Sequence, residues 1–395
     1  LPVIVFVHGG GWKEGTSNIP LYDGANLALR GSVVVTLNYR LGPLGFLALR
    51  GLAAERGGTT GNYGLLDQIA ALEWVQENAA AFGGDPARVL FWGQSAGAWS
   101  ALIHATSPRS AGLFSRAFSD SGGPYVRGLE RATADGVVYA DALGCPAVPG
   151  RIECLRAKSD EEIVMPAPSG GWSPVIDGIV IEEPIMAALE AGHHVDIPFL
   201  VLNTANEFTR MEANPPVDSI ASAADYEAAI AQRFGDGAEA VLAQYPVLSF
   251  ATPWDAYLAV LNDANMSCAN RRITRALAAT QTAPVFRTVW DHIDSGGALQ
   301  HLGATHGADL RYWFANFGGM FEPTDEELAL SDAMGSFLTS FAATGDPDRT
   351  GADGWPAHDA ATDALLLLDV DLTTIDGYRT AACDFWDGLA PGLGD

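Results

Sequence analysis

Val89-Leu90-Phe91-Trp92-Gly93-Gln94-Ser95-Ala96-Gly97-Ala98-Trp99-Ser100-Ala101 is the stretch on which the rest of the chain is organised. Four apolar residues, Val89 to Trp92, predict a buried parallel strand. Gly93 to Gly97 then form a G-x-S-x-G pentapeptide, and Ala98 to Ala105 predict a helix. A serine on a sharp strand-to-helix turn is a nucleophile elbow. Its glycines are needed because the turn is strained and the helix must pack close to the strand. The turn presents the serine hydroxyl at a helix N-terminus, where a developing oxyanion is favoured. The pentapeptide alone also occurs by chance on surface turns. The rest of the chain must therefore supply a base, an acid and oxyanion donors.

Upstream, the apolar run 1–7 predicts a strand that ends in His8-Gly9-Gly10-Gly11. Glycine backbone there can aim two N–H groups at one point, which an oxyanion hole requires. A second strand is predicted at 33–38, and a helix with the stripe Leu65, Ile69, Leu72, Val75 and Ala79 leads towards the elbow strand. Downstream, Leu113 to Ser119 predicts a strand ending at Asp120, and 197–203 another, followed by Glu207. Residues 208–283 read as mainly helical, a cap-like insertion over the sheet, with 284–290 as the last clear strand. A helix should start near Thr324, with Asp325, Glu326 and Glu327 in its first turn, and run to about Ala343. Strand–helix alternation predicts an α/β chain with a mostly parallel sheet covered on both faces, a single catalytic domain over 1–395.

Composition narrows the function classes. The 395 residues, 48% hydrophobic, suffice for a large core. No run of eighteen apolar residues exists, so no membrane-spanning helix is expected. Forty-eight acidic against twenty-two basic residues give a net charge of −26 without a basic cluster, which argues against a nucleic-acid partner. The scattered acid reads as a solvating surface. Four cysteines allow two disulfides or four buried thiols, and no C-x-x-C or His/Cys spacing suggests zinc. No cofactor or metal is expected. The chain begins inside an apolar run without Met, which predicts a segment upstream of Leu1 and leaves any signal peptide unread.

Ligands of open α/β sheets bind beyond the carboxyl ends of the strands, and triad members should lie there in the order serine, acid, histidine. His306, His301, His292 and His358 are the candidate bases; His104 lies inside the elbow helix, and His193 and His194 precede a strand. Glu207, Asp120 and Glu212 are the candidate acids. Position alone leaves both choices open.

The stretches HGGGW (8–12), NYRLGPLGFL (38–47), GNYGLLDQIAALEWVQENAAAFGGDPARV (61–89), GQSAGA (93–98), SPVIDG (173–178), NEF (206–208), THGAD (305–309) and TGDP (344–347) run in one order through nearly the whole chain. On these the chain resembles the type-B carboxylesterases, the group of cholinesterases, para-nitrobenzyl esterases and some fungal lipases. The resemblance implies an α/β-hydrolase fold, with Ser95 as nucleophile, Glu207 as acid, His306 as base, and Gly10, Gly11 and Ala96 as oxyanion donors. It implies a supporting role for Ser121 and disulfides Cys145–Cys154 and Cys268–Cys383, hence a secreted or periplasmic protein acting on a small-molecule ester. Three departures stand out. Gln94 replaces a frequent Glu before the nucleophile, which favours neutral over cationic esters. Pro168 and Gly170 stand roughly where cholinesterases place acyl-pocket aromatics. The family's segment before the HGGG strand is not in this sequence, so strand 33–38 should be an exposed edge. A non-enzymatic adhesion module of the same family is the rival reading; such relatives have usually lost a triad member.

Overall fold

The central strands are near-continuous apolar runs because both faces of their sheet are covered: β1 (Val3–Val7) and β3 (Val89–Gln94) are buried at every position. This computed structural model describes the chain apart from residues 56, 146–149, 165–170, 212–219, 298–299, 320, 349–350, 352–353 and 390–395. The other strands are β2 (Val33–Leu37), β4 (Arg116–Asp120), β5 (Arg127–Gly128), β6 (Val175–Ile176), β7 (Phe199–Thr204), β8 (Val285–Trp290), β9 (Ala364–Leu368) and β10 (Thr373–Asp376). Eight of them form one sheet in the order β10-β9-β8-β7-β4-β3-β1-β2. All neighbours are parallel except β10, which runs antiparallel to β9. Strands β5 and β6 form a small separate ladder. The architecture is that of an α/β-hydrolase.

Alternation along β1 separates two cores. Val3, Val5 and Val7 join Phe91 and the helix Tyr63–Asn78 through Leu65, Ile69, Leu72 and Val75. Ile4 and Phe6 join Leu90, Trp92, Phe118 and the helix Asp325–Thr344 through Leu330, Met334, Phe337 and Phe341. That helix starts as expected: Thr324 caps it and Glu327 completes the reciprocal capping box.

Strand 284–290 is not the last, since β9 and β10 extend the sheet beyond it. Within 208–283 the described residues are mainly helical, and the helix Cys268–Thr280 packs Ile273, Ala276 and Leu277 into the core shared with β1 and β3. The helices Ala223–Phe234 and Pro253–Asn262 instead build a third apolar cluster with the C-terminal helix Thr380–Leu389. The disulfide Cys268–Cys383 lies inside that cluster, and Cys145–Cys154 closes a nine-residue separation elsewhere. β2 is an edge strand, opposite β10 at the other edge, with Val33 to Thr36 half-buried. Among the described residues no helix is long and apolar enough to cross a membrane.

Candidate active site

Parallel alignment brings the carboxyl ends of β1, β3, β4, β7 and β8 to one edge of the sheet, and the site is built there. Ser95 directly follows β3 at φ 56° and ψ −122°, a conformation a non-glycine residue adopts only under constraint. Its N–H donates to the Asp120 carbonyl at 2.8 Å, and its own carbonyl accepts from Ala98 at 2.8 Å. The flanking glycines are sterically required. A Cβ on Gly93 would stand 2.0 Å from the Gly97 carbonyl oxygen, and one on Gly97 would stand 2.1 Å from that of Val7. Ala96 is the first residue of the helix Ala96–Thr106, so its N–H has no partner one turn back.

The loop after β1 passes directly over the serine: a Cβ on Gly9 would lie 2.8 Å from Ser95 Cβ. Gly10 and Gly11 hold φ 105° and 59°, and the Gly10 carbonyl accepts from Lys13 and Glu14 at 3.1 and 3.2 Å. This turns the carbonyl outwards into a turn. His8 anchors the loop. Its Nδ1 donates to the Gly9 carbonyl at 2.8 Å, its ring stacks on Tyr39, and its own carbonyl accepts from the Tyr39 hydroxyl. Burial lowers the His8 pKa, which keeps the ring neutral as a single donor.

Glu207 follows β7 and is completely buried. One carboxylate oxygen accepts from the Thr204 N–H at 2.7 Å; the other accepts from His306 Nδ1. The Glu207 N–H donates to Asn262 Oδ1 at 3.0 Å, so the helix Pro253–Asn262 fixes the acid from behind. The loops carrying Glu207 and His306 are stapled by a bridge between Asn206 and Thr305, with Asn206 N–H donating to the Ala304 carbonyl at 3.0 Å. With Nδ1–H committed to Glu207, Nε2 is the acceptor, and the amide nitrogen of Gln94 lies 3.2 Å from it.

The other candidates lie elsewhere. His292 faces Asp369 and Glu327, His301 sits exposed in the turn Gln300–Leu302, and His358 faces Asp363. His104 is buried between Ser110 and Gln68, and burial drops its pKa to about 3. Asp120 faces Asp309 and Trp92 rather than a histidine. Ser121 follows it at φ 61°, but its buried hydroxyl bonds neither Glu207 nor His306. Glu212, Pro168 and Gly170 lie outside the described residues.

Among the described residues one group, His292, Asp294 and Glu327, gathers three potential metal ligands within 4.8 Å. Its carboxylate oxygens are already occupied by donors: Arg311 and Tyr312 on Asp294, Ser295 and Thr324 on Glu327. It is a structural network that ties the helix Asp325–Thr344 to the loop after β8. Sequence reasoning missed three contributors to the site: the contact of Gln94 with His306, the hold of Asn262 on Glu207, and Asp309. Only Asp309 carried a local signal, since it lies three residues after His306 in the THGAD stretch.

Comparison with known proteins gives a consistent result. The model of the carboxylesterase family matches residues 1–386. Fumonisin B1 esterase of Sphingopyxis macrogoltabida is 35% identical over 374 residues, which cover 90% of this chain and 67% of that protein. Crystal protein of Dictyostelium discoideum is 30% identical, covering 99% of this chain and 74% of its own. Para-nitrobenzyl esterase of Bacillus subtilis (strain 168) is 33% identical, covering 94% and 76%.

Proposed function

This chain belongs to the carboxylesterase family and is a carboxylic ester hydrolase, and from that premise we propose that it works through an acyl-enzyme on Ser95. The observation that carries the reading is the His306–Glu207 pair at the strand edge beside the strained Ser95 turn.

Ser95 Oγ attacks the ester carbonyl carbon while His306 Nε2 takes its proton. The carbonyl oxygen becomes an oxyanion held by the N–H groups of Gly10, Gly11 and Ala96, each worth roughly 2.7–4 kcal/mol in comparable sites. The tetrahedral centre collapses, the C–O bond to the leaving group breaks, and the Nε2 proton passes to the departing alcohol. Water then repeats the sequence on the acyl-enzyme and releases the acid. Glu207 holds the imidazole in the tautomer with Nδ1–H and stabilises the imidazolium. No step calls for a metal or cofactor.

The substrate class is a neutral carboxylic ester, because the residue before Ser95 is the uncharged Gln94. Relatives named for fumonisin B1 and para-nitrobenzyl esters make a para-nitrobenzyl ester a suitable first assay substrate. Two disulfides fit an oxidising compartment, a secreted or periplasmic location.

A fluorophosphonate probe should label the folded protein at one residue, Ser95, and Ser95→Ala should abolish both labelling and hydrolysis of short para-nitrophenyl esters. Glu207→Gln should lower kcat roughly 10⁴-fold with little change in KM, and more than Asp120→Asn does. Failure to label folded wild type, or substantial turnover by Ser95→Ala, overturns the reading.

A further inference from the structure

Trp12 directly follows Gly10 and Gly11, and its backbone is strained. Gly11 and Trp12 hold φ 59° and 58°, successive residues in the left-handed region. Glycine enters that region freely. A bulky aromatic residue stays there only where its surroundings hold it.

The surroundings do so from two sides. The Trp12 ring is buried and packs on Trp99, with ring centroids 5.0 Å apart, and on Phe46 at 6.2 Å. Trp99 lies one turn after Ser95 in the helix Ala96–Thr106, its N–H donating to the Ser95 carbonyl at 3.0 Å. Phe46 ends the short helix Gly42–Phe46, and the N–H of Gly42 donates to the Trp12 carbonyl at 2.6 Å. The indole N–H of Trp12 is buried without an acceptor, so packing rather than a hydrogen bond holds the ring.

Trp12 also lies inside the turn in which the Gly10 carbonyl accepts from Lys13 and Glu14. Among the described residues the N–H groups of Gly10 and Gly11 meet no acceptor. Their direction is therefore set by the anchors at the two ends of the loop. His8 is the first and Trp12 the second. Without its packing partners, a residue other than glycine at position 12 would relax towards negative φ and swing the glycine N–H groups with it.

We propose that Trp12 is a positioning residue for the oxyanion hole. Its strained backbone, held by Trp99 and Phe46, sets where the Gly10 and Gly11 N–H groups stand relative to Ser95. It acts through the two glycines and not on the reacting atoms. The proposal rests on the roles of Ser95, Gly10 and Gly11 given above. Such donors work by being fixed before the charge develops, so a small displacement is costly.

The experiment compares turnover of short para-nitrophenyl esters with the binding of a trifluoromethyl ketone, both per active site titrated with a fluorophosphonate. In the ketone complex Ser95 Oγ bonds the carbonyl carbon, the serine proton passes to His306 Nε2, and the carbonyl oxygen becomes an oxyanion. Its affinity therefore reads the donors. The matching secondary alcohol forms no such bond and reads only the pocket. Trp12→Ala should lower kcat and the ketone affinity together by about 100-fold, with KM and the alcohol affinity within about threefold of wild type. Trp12→Phe keeps a packed ring and should hold both within about tenfold of wild type. Trp99→Ala removes the contact from a half-buried residue on the other side. It should show the same paired loss, about tenfold, and it decides the matter if Trp12→Ala does not fold.

Folded variants with wild-type kcat and ketone affinity per site overturn the proposal. So does a weaker KM and alcohol affinity with kcat unchanged, which would make Trp12 a pocket wall instead. In both cases the wild type is still labelled and still binds the ketone, whereas an error in the assignment of Ser95 abolishes both.

Discussion

The side-chain amide nitrogen of Gln94 lies 3.2 Å from Nε2 of His306, on the lone pair that takes the Ser95 proton in the proposed mechanism. The amide is a partner matched to the neutral imidazole. A glutamate at the same place would be matched to the imidazolium instead. Gln94→Glu should improve a cationic ester relative to its neutral isostere, about tenfold at low salt. Assays of such a pair of esters at low and high salt check the outcome; an unchanged ratio refutes it.

The elbow glycines are set by contact distance, not by chain flexibility. Gly97→Ala would drive a Cβ to 2.1 Å from the Val7 carbonyl oxygen, backbone that is locked in the sheet. The expected cost is about 3 kcal/mol or failure to fold. Gly128, where a Cβ would meet nothing within 4 Å, is the control. Gly128→Ala should leave the thermal midpoint within about a degree or two, as surface substitutions usually do.

Glu327 should make the fold acid-sensitive. Burial opposes its charge, but the N–H groups of Ser295 and Thr324, the Ser295 hydroxyl and His292 outweigh burial and hold its pKa at about 2, against an ordinary 4.5. A carboxyl lowered in this way stabilises the fold above the ordinary value and loses that contribution as pH falls towards 2. Glu327→Gln should therefore cost about 2 kcal/mol at neutral pH. Urea titrations should show the gap to wild type closing between roughly pH 4.5 and 2.

The two disulfides should differ in worth. Cys268–Cys383 closes a separation of 115 residues and Cys145–Cys154 one of nine. Loop-closure entropy gives about 5 and about 2.5 kcal/mol respectively. Paired serine variants, compared by chemical denaturation, should show the larger loss for the long loop, which also anchors the C-terminal helix Thr380–Leu389.

The features legible in the sequence were those fixed by local chemistry. Gly93–Gly97 and His8–Gly11 are dictated by close backbone approach, and the Thr324–Glu327 box by the unpaired N–H groups of one helix end. What escaped depended on distant contact or weak propensity. β9 is Ala-Leu-Leu-Leu-Leu, a run without the β-branched side chains that mark strands, and leucine favours helix. β10 is largely exposed at the sheet edge and shows no apolar alternation. Asp120 was visible as an acid at a strand end, but its complete burial beside Trp92 was not. That Cys268–Thr280 packs into the core with β1 and β3 was not legible either, because an apolar helix stripe does not say which surface it meets.

The staple between Asn206 and Thr305 divides the proposed catalytic machinery into two prefabricated pieces. One half carries Ser95, Ala96, Gly10 and Gly11 at the ends of β1 and β3; the other carries Glu207 and His306, already joined, on the loops after β7 and β8. Within the sheet the pieces meet along the pairing of β4 with β7. A slip there would leave each piece correctly shaped and the whole inert. Loss of turnover during partial denaturation is thus a reporter of one interface, and should run ahead of any loss of helix or strand.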